Sequence, residues 1–313
     1  MALPNINIDK FKEIYDEVMG DADARVTIAI VGRNSVGKAA VGAWLLLDRG
    51  SMNAGEVADI LMCEYDGTRD ATVRAVACAG QADVIIFVVD ASAADYKNDM
   101  AVWQAVRDMK KPCLLVGNKL DQAGGDAPRA RRRLADIFGA PASQIAAVTA
   151  TAGVNVVEEL LPRLVAAARD SEIPLARRFP VFRKAVANRI VNATAAENAV
   201  VGTLFFLPAA DLPVMTANQV KMILKIAVAY GQEVGLERLK ELMVVFGSAI
   251  VFRAAARNLA SFVPVLGWAV KGGIAYGGTV ALGKTAVKYF ENDAIVRLPG
   301  MRAIGAGQDS IDV

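Results

Sequence analysis

The stretch Arg25-Val26-Thr27-Ile28-Ala29-Ile30-Val31-Gly32-Arg33-Asn34-Ser35-Val36-Gly37-Lys38-Ala39-Ala40 decides the fold of the first half of the chain. RVTIAIVG is a continuous apolar run that stops on a glycine, as a strand buried on both faces does. A helix is expected from near Gly37. The turn between them fits G-x-x-x-x-G-K, in which glycines let successive N–H groups curl around a phosphate and the lysine reaches its β and γ groups. The helix start adds the positive end of its dipole. Gly32, Asn34, Ser35, Val36, Gly37, Lys38 and Ala39 are therefore candidate phosphate-binding residues. The alternative is an ordinary glycine-bearing turn with a surface lysine.

Working outward, VADILMC (57–63), DVIIFVVD (83–90), PCLLVGN (112–118) and QIAAVTA (144–150) read as further strands. Helical patterns cover 8–19, 70–81, 95–109, 127–138 and 154–169. On the first of these, Ile8, Phe11, Tyr15 and Val18 share one side. Alternating buried strands and helices predict an α/β fold with a mostly parallel sheet covered on both faces. Ligands then bind beyond the carboxyl ends of the strands, at the loops 32–38, 64–69, 90–95, 118–121 and 149–153.

One of these loops is Asn118-Lys119-Leu120-Asp121. It resembles the N-K-x-D guanine-specificity motif of small GTPases. The two oxygens of the Asp121 carboxylate can accept from the paired N–H donors on one edge of guanine, for which adenine has no counterpart. The aliphatic stem of Lys119 can lie over the base, and Asn118 can tie this loop to the phosphate loop. Thr149-Ala150-Thr151 stands where GTPases place S-A-K, so the Ala150 N–H would meet guanine O6. Together these motifs resemble the Era-like branch of the P-loop GTPases over residues 25–169. The resemblance implies GTP or GDP as ligand, with Mg²⁺.

Two departures bear on the metal. Ala39 stands where a Ser or Thr hydroxyl ordinarily holds Mg²⁺, and Glu64-Tyr65-Asp66-Gly67 replaces D-x-x-G. Gly67 keeps its place as a γ-phosphate contact, leaving Glu64 and Asp66 as weak metal candidates and Thr68 as a substitute ligand. Arg33 and Arg69 can approach the phosphates or stay solvated. No catalytic residue is assigned, and any GTP hydrolysis is expected at or below about 10⁻⁴ s⁻¹.

Composition narrows the field. The chain has 313 residues, no histidine, and 35 basic against 33 acidic side chains. Histidine-based triads and histidine-ligated metals are thereby excluded. Three scattered cysteines make a disulfide framework unexpected and suggest a reducing cytosol. The first residues lack the pattern of a secretory signal. Pro128-Arg129 through Arg133 reads as a solvated helix face, and no nucleic-acid module is expected.

Residues 1–170 carry 19 basic and 23 acidic side chains, so the remainder is positive. The pattern also turns helical there, which places a domain boundary between a nucleotide-binding part (1–170) and an apolar helical part (171–293), with an irregular tail at 294–313. Helices are expected at 181–207, at TANQVKMILKIAVAYG with Thr216 as N-cap and Gly231 as stop, and at GLERLKELMVVFG. Pro208 and Pro213 bracket a break. Mean hydropathy is +0.34. Uncharged runs nevertheless fall short of the roughly 20 residues a span needs. Buried core helices or shallow insertion are therefore favoured over crossing, including at 258–283. Gly273 and Gly277 form a G-x-x-x-G. Arg177, Arg178, Arg183, Lys184 and Arg189 fit either an anionic-lipid contact or a solvated face.

The stretch LFFLPAADLPVMTANQVKMILKIAVAYG with the later FVPVLGWAVKGGIAYGGTVALGKTAVKYFE (about 195–291) is similar to the YcjF-like domain of unknown function. That domain is paired with Era-like GTPases and regarded as membrane-associated. The layout also resembles immunity-related and dynamin-like GTPases. The whole reads as a guanine-nucleotide switch or scaffold, cytoplasmic or peripheral at the inner face of a membrane, with a membrane surface, partner protein or oligomer as partner. The alternatives are a pseudo-GTPase, or a membrane-interaction or oligomerising protein with a vestigial site.

Overall fold

The computed structural model describes residues 8–20, 22, 24–46, 59–204, 212–232 and 267–296. The chain divides into two compact units, one spanning Ile8–Arg189 and one beginning at Ile190.

In the first unit the buried runs form five strands: β1 (Ile28–Arg33), β2 (Ile60–Tyr65), β3 (Val84–Asp90), β4 (Cys113–Asn118) and β5 (Ile145–Ala147). All the pairings are parallel, in the order β2-β1-β3-β4-β5. The connections run one way from β1 to β2 and cross back to β3. Their divergence sets the topological switch point of the sheet at the carboxyl ends of β1 and β3. Helices α2 (Lys38–Leu45), α3 (Arg69–Ala79), α4 (Lys97–Asp108) and α5 (Ala127–Phe138) fill the connections, α1 (Ile8–Gly20) precedes β1, and α6 (Leu161–Ala167) and α7 (Glu172–Arg178) follow β5. The helix expected at 154–169 is a wide π-type turn, Val156–Leu160, followed by α6.

Residues Val84 to Val89 of β3 are fully buried. Phe87 packs on Trp103 of α4 at 5.2 Å between ring centres, and Trp103 meets Phe138 of α5 edge-on at 5.9 Å. This cluster fixes α4 and α5 against one face of the sheet. On α1, Ile14 and Val18 are buried.

β2 departs from expectation. It starts at Ile60 and continues through Glu64 and Tyr65, which the sequence reads as loop. Glu64 pairs with Gly32 and Tyr65 with Arg33 along β1. The strand persists because Tyr65 is buried beneath it while Glu64 points the other way, to solvent.

The second unit contains most of α8 (Arg183–Leu204), together with α9 (Leu212–Ala229) and α10 (Gly267–Val296). Thr216 lies inside α9 rather than capping it, because the helix begins at Leu212 with Pro213 as its second residue, where a missing N–H costs nothing. Gly231 is the expected stop: φ is +76°, and Gln232 N–H closes on Ala227 O. A buried polar network crosses the three helices. Asn198 Nδ2 donates to Thr279 Oγ1 at 3.0 Å, Asn218 Nδ2 to Asn198 Oδ1 at 2.9 Å, and Thr279 Oγ1 to Ala275 O.

At the G-x-x-x-G, a Cβ on Gly273 or Gly277 would meet nothing within 4 Å among the described residues. Close approach falls instead at Gly272, against Thr203, and at Gly283, against Val191. Ala294 is still helical, so α10 outlasts the expected start of the tail. Pro208 and GLERLKELMVVFG lie outside the described residues, as does 258–266. Among the described residues no helix is long and apolar enough to cross a membrane.

The expectation of unpaired cysteines is also overturned. Cys63 of β2 and Cys78 of α3 form a disulfide with Cα atoms 5.8 Å apart. Fifteen residues separate them in sequence. The crossover lays the end of α3 back along the middle of β2, a proximity that sequence spacing does not reveal. Cys113 is free, and burial pushes its thiol up to about 12. Closing a loop of this length is worth about 3 kcal/mol through the unfolded chain. The Cys63→Ser/Cys78→Ser protein should lose roughly that much in urea unfolding, whereas Cys113→Ser should leave the contribution of the crosslink intact. An unchanged urea midpoint in the double variant would count against the crosslink.

Candidate functional site

The site is assembled from three loops at the carboxyl ends of β1, β4 and β5. The first follows β1. Asn34 and Ser35 are exposed, Val36 is buried, and Ser35 (φ +63°) and Gly37 (φ +93°) take left-handed backbone. At Gly37 the sterics are absolute: a Cβ would lie 2.1 Å from Asn118 Nδ2. Gly32 admits the Val88 carbonyl to within 2.5 Å of where its own Cβ would stand.

Lys38 opens α2 and is only 5% exposed. Its Nζ donates to Arg33 O at 2.7 Å and lies 3.0 Å from Glu64 Oε1. The ammonium is thus held at the mouth of the loop, beside the helix N-terminus, where an anion is favoured.

The second loop follows β4. Asn118 is 2% exposed. Its Nδ2 donates to Val36 O at 2.8 Å, and its Oδ1 accepts from Ala150 N–H at 2.9 Å. One side chain thereby joins the phosphate loop to the third loop, which follows β5. Lys119 (φ +60°) donates to Asp90 Oδ2 at 2.7 Å. Burial raises the Asp90 carboxyl, but bonds from Lys119 and Ser92 outweigh it and hold Asp90 below its ordinary 3.8. Asp121 is exposed, and Thr149 Oγ1 donates to its Oδ1 at 3.1 Å while accepting from its N–H.

The third loop is pinned from α2. Trp44 Nε1 donates to Ala150 O at 2.7 Å, and the indole covers Gly153, whose Cβ would come within 2.5 Å of it. The Ala150 N–H is therefore already engaged by Asn118 rather than waiting for a base.

The remaining candidates find other partners. Glu64 faces Lys38. Asp66 Oδ1 accepts from both Thr68 N–H and Thr68 Oγ1, which hold its carboxyl low. Thr68 caps α3 by accepting from Ala71 N–H. Gly67 (φ +96°) packs against Asn98. Arg33 keeps a partly exposed side chain, and its Nε donates to Asp99 Oδ1 at 3.0 Å. Tyr65 donates to the same oxygen at 2.6 Å, and burial, then that bond, drive its hydroxyl pKa upward.

Among the described residues no three His, Cys, Asp or Glu gather around a metal position. With Ala39 lacking a hydroxyl and Glu64 and Asp66 already partnered, this donor set does not fit the Mg²⁺ that the resemblance implies.

Asp99 and Trp44 went unread in the sequence, and Asp90, Tyr65 and Thr149 were named there only within strand and loop segments, without a role of their own. Asp90 alone carries a signal, being a carboxylate at the carboxyl end of the clearest strand. Of the basic residues read as surface, Arg131 pairs with Glu159 and Arg133 donates to the Ala91 and Ala93 carbonyls. Arg178 pairs with buried Asp59 and Arg189 with Glu172.

Residues 168–306 match the family profile of DUF697, a domain of unknown function. They are just under half of the chain and include the stretch that resembles the YcjF-like domain. A second similarity is shorter. Elongation factor 4 from two Bacillus cereus strains, B4264 and ATCC 14579, is 31% identical over 113 residues. That alignment covers 35% of this chain, which spans 18% of the length of those relatives. A GTP-binding protein from Sulfolobus solfataricus, solved in complex with GDP, overlaps 52% of this chain and 57% of its own at 19% identity, with a TM-score of 0.36.

Removing the Asn118 amide would strand Val36 O and Ala150 N–H in the interior. Asn118→Ala should therefore cost about 1–3 kcal/mol in urea unfolding, with faster hydrogen exchange in both loops. Exchange rates unchanged in both would show that the amide does not hold them.

Proposed function

We propose that residues 1–170 bind a guanine nucleotide and that the helical part, 171–293, is the effector of that binding, as a switch or scaffold. The carrying observation is the Asn118 bridge from Val36 O to Ala150 N–H. It supports one continuous site in which Lys38 serves the phosphates and Asp121 the base. Thr149 orients the Asp121 carboxylate, leaving oxygen lone pairs for the guanine donors. Lys119, tethered to Asp90, can lay its stem along the ring. An Ala150 N–H contact to O6 requires Asn118 to share or release that donor.

The second reading is a pseudo-GTPase that keeps nucleotide as a structural ligand. Ala39 and the Lys38–Glu64 pair favour it, because neither serves a triphosphate with its cation. At most the protein is a very slow GTPase. A membrane-surface role draws less support, since Arg178 and Arg189 spend their charge on Asp59 and Glu172.

Calorimetric titration with GDP and a non-hydrolysable GTP analogue, with and without Mg²⁺, tests the proposal directly. Asp121→Asn should exchange guanine for xanthine preference, with GDP affinity falling at least tenfold, about 1.4 kcal/mol. GDP affinity unaffected by this change would remove the guanine assignment. Lys38→Ala should weaken both nucleotides by a comparable factor. An unaltered isotherm would mean that the phosphates lie elsewhere.

A further inference from the structure

We infer that Glu64 is a specificity residue that disfavours the nucleoside triphosphate relative to the diphosphate, an inference resting on the nucleotide reading above. Three observations carry it. First, the strand register sets Glu64 directly beside Gly32, the first glycine of the phosphate loop. Second, its carboxylate lies 3.0 Å from Lys38 Nζ, which also donates to Arg33 O. An ammonium has three donors. With two committed, one remains for a phosphate oxygen, too few to serve a β and a γ group together. Third, the backbone around Glu64 is anchored on both sides. Cys63 is bonded to Cys78, and buried Tyr65 donates to Asp99. The carboxylate can leave Lys38 only by rotating its own side chain, not by withdrawal of the strand.

A diphosphate can use the remaining Lys38 donor and the loop N–H groups without meeting Glu64. A triphosphate brings a further anionic group toward the same ammonium and must displace the carboxylate or sit beside it, and like charges at such distances repel. The residue that ordinarily supplies a hydroxyl to a neutralising cation is Ala39, so the usual relief of that repulsion is weakened at its source. Glu64 is 59% exposed, and its replacement leaves the core intact.

The test compares wild type, Glu64→Gln and Glu64→Ala in titrations with GDP and a non-hydrolysable GTP analogue, each with and without Mg²⁺. Wild type should favour GDP. Both variants should raise the ratio of analogue to GDP affinity by about tenfold, and the gain should shrink at high salt. An unchanged ratio overturns the inference. So does a Mg²⁺-dependent loss of analogue binding in both variants, which would make Glu64 a cation ligand instead. If neither nucleotide binds wild type or either variant, the nucleotide reading itself has failed, a result distinct from either of those.

Discussion

The Asn118 amide is the constraint on which the site depends. It is buried, and both of its partners are backbone groups, Val36 O and Ala150 N–H, on loops 82 and 32 residues away in sequence. A buried amide leaves little freedom in such an arrangement, since each unpaired partner would carry a desolvation cost. Gly37 follows from the same contact, because the amide nitrogen occupies the space a Cβ would need. Trp44 repeats the logic from the helix that follows the phosphate loop, fixing the third loop through Ala150 O. The loops are thus held by side chains of the fold itself, which is how a rigid scaffold presents recognition groups.

How much of this could be read from residues depended on the range of the interaction. The strands β1, β3 and β4 are continuous apolar runs ended by a glycine or a polar group, and a parallel sheet buried on both faces produces that pattern locally. The helix at 127–138 announces itself equally locally, with Asp126 capping the Arg129 N–H. The end of β2 is different. Glu64 and Tyr65 look like loop because the reason they are strand lies in β1, through the pairings with Gly32 and Arg33. The Cys63–Cys78 bond, the Arg33–Asp99–Tyr65 cluster and the Trp44 contact are likewise products of chain crossings. The motif residues told what chemistry to look for. The second layer that holds them had no signature beyond Asp90 at its strand end.

The helical unit shows the converse difficulty. α9 and α10 are apolar on most positions, so periodicity does not choose which face is buried. Asn198, Asn218 and Thr279 supply what hydrophobicity leaves open. A misaligned pairing of these helices would bury their amides and hydroxyl without partners, so the polar atoms penalise every register but one. The glycines act in the same direction. Gly272 and Gly283 are the points where a side chain would strike α8, whereas Gly273 and Gly277 face no neighbour within reach among the described residues. A G-x-x-x-G spacing by itself did not identify the contact; the packing of a specific neighbour did.

The two departures from the phosphate-site pattern, Ala39 and Glu64, are one physical change seen from two sides. An anion site needs positive potential, and here that comes from Lys38 and the start of α2. Losing the hydroxyl at 39 removes a means of recruiting a cation. Placing a carboxylate against Lys38 removes part of the charge already present. Under the nucleotide reading proposed above, both alterations would lower the number of phosphate charges the site can neutralise, and neither disturbs the loop built on Asn118, Thr149 and Trp44, well away from β2 in sequence. On that proposed reading, base recognition and charge neutralisation are separable, and a site that keeps the first while reducing the second is suited to holding a nucleotide more than to drawing free energy from its terminal phosphate.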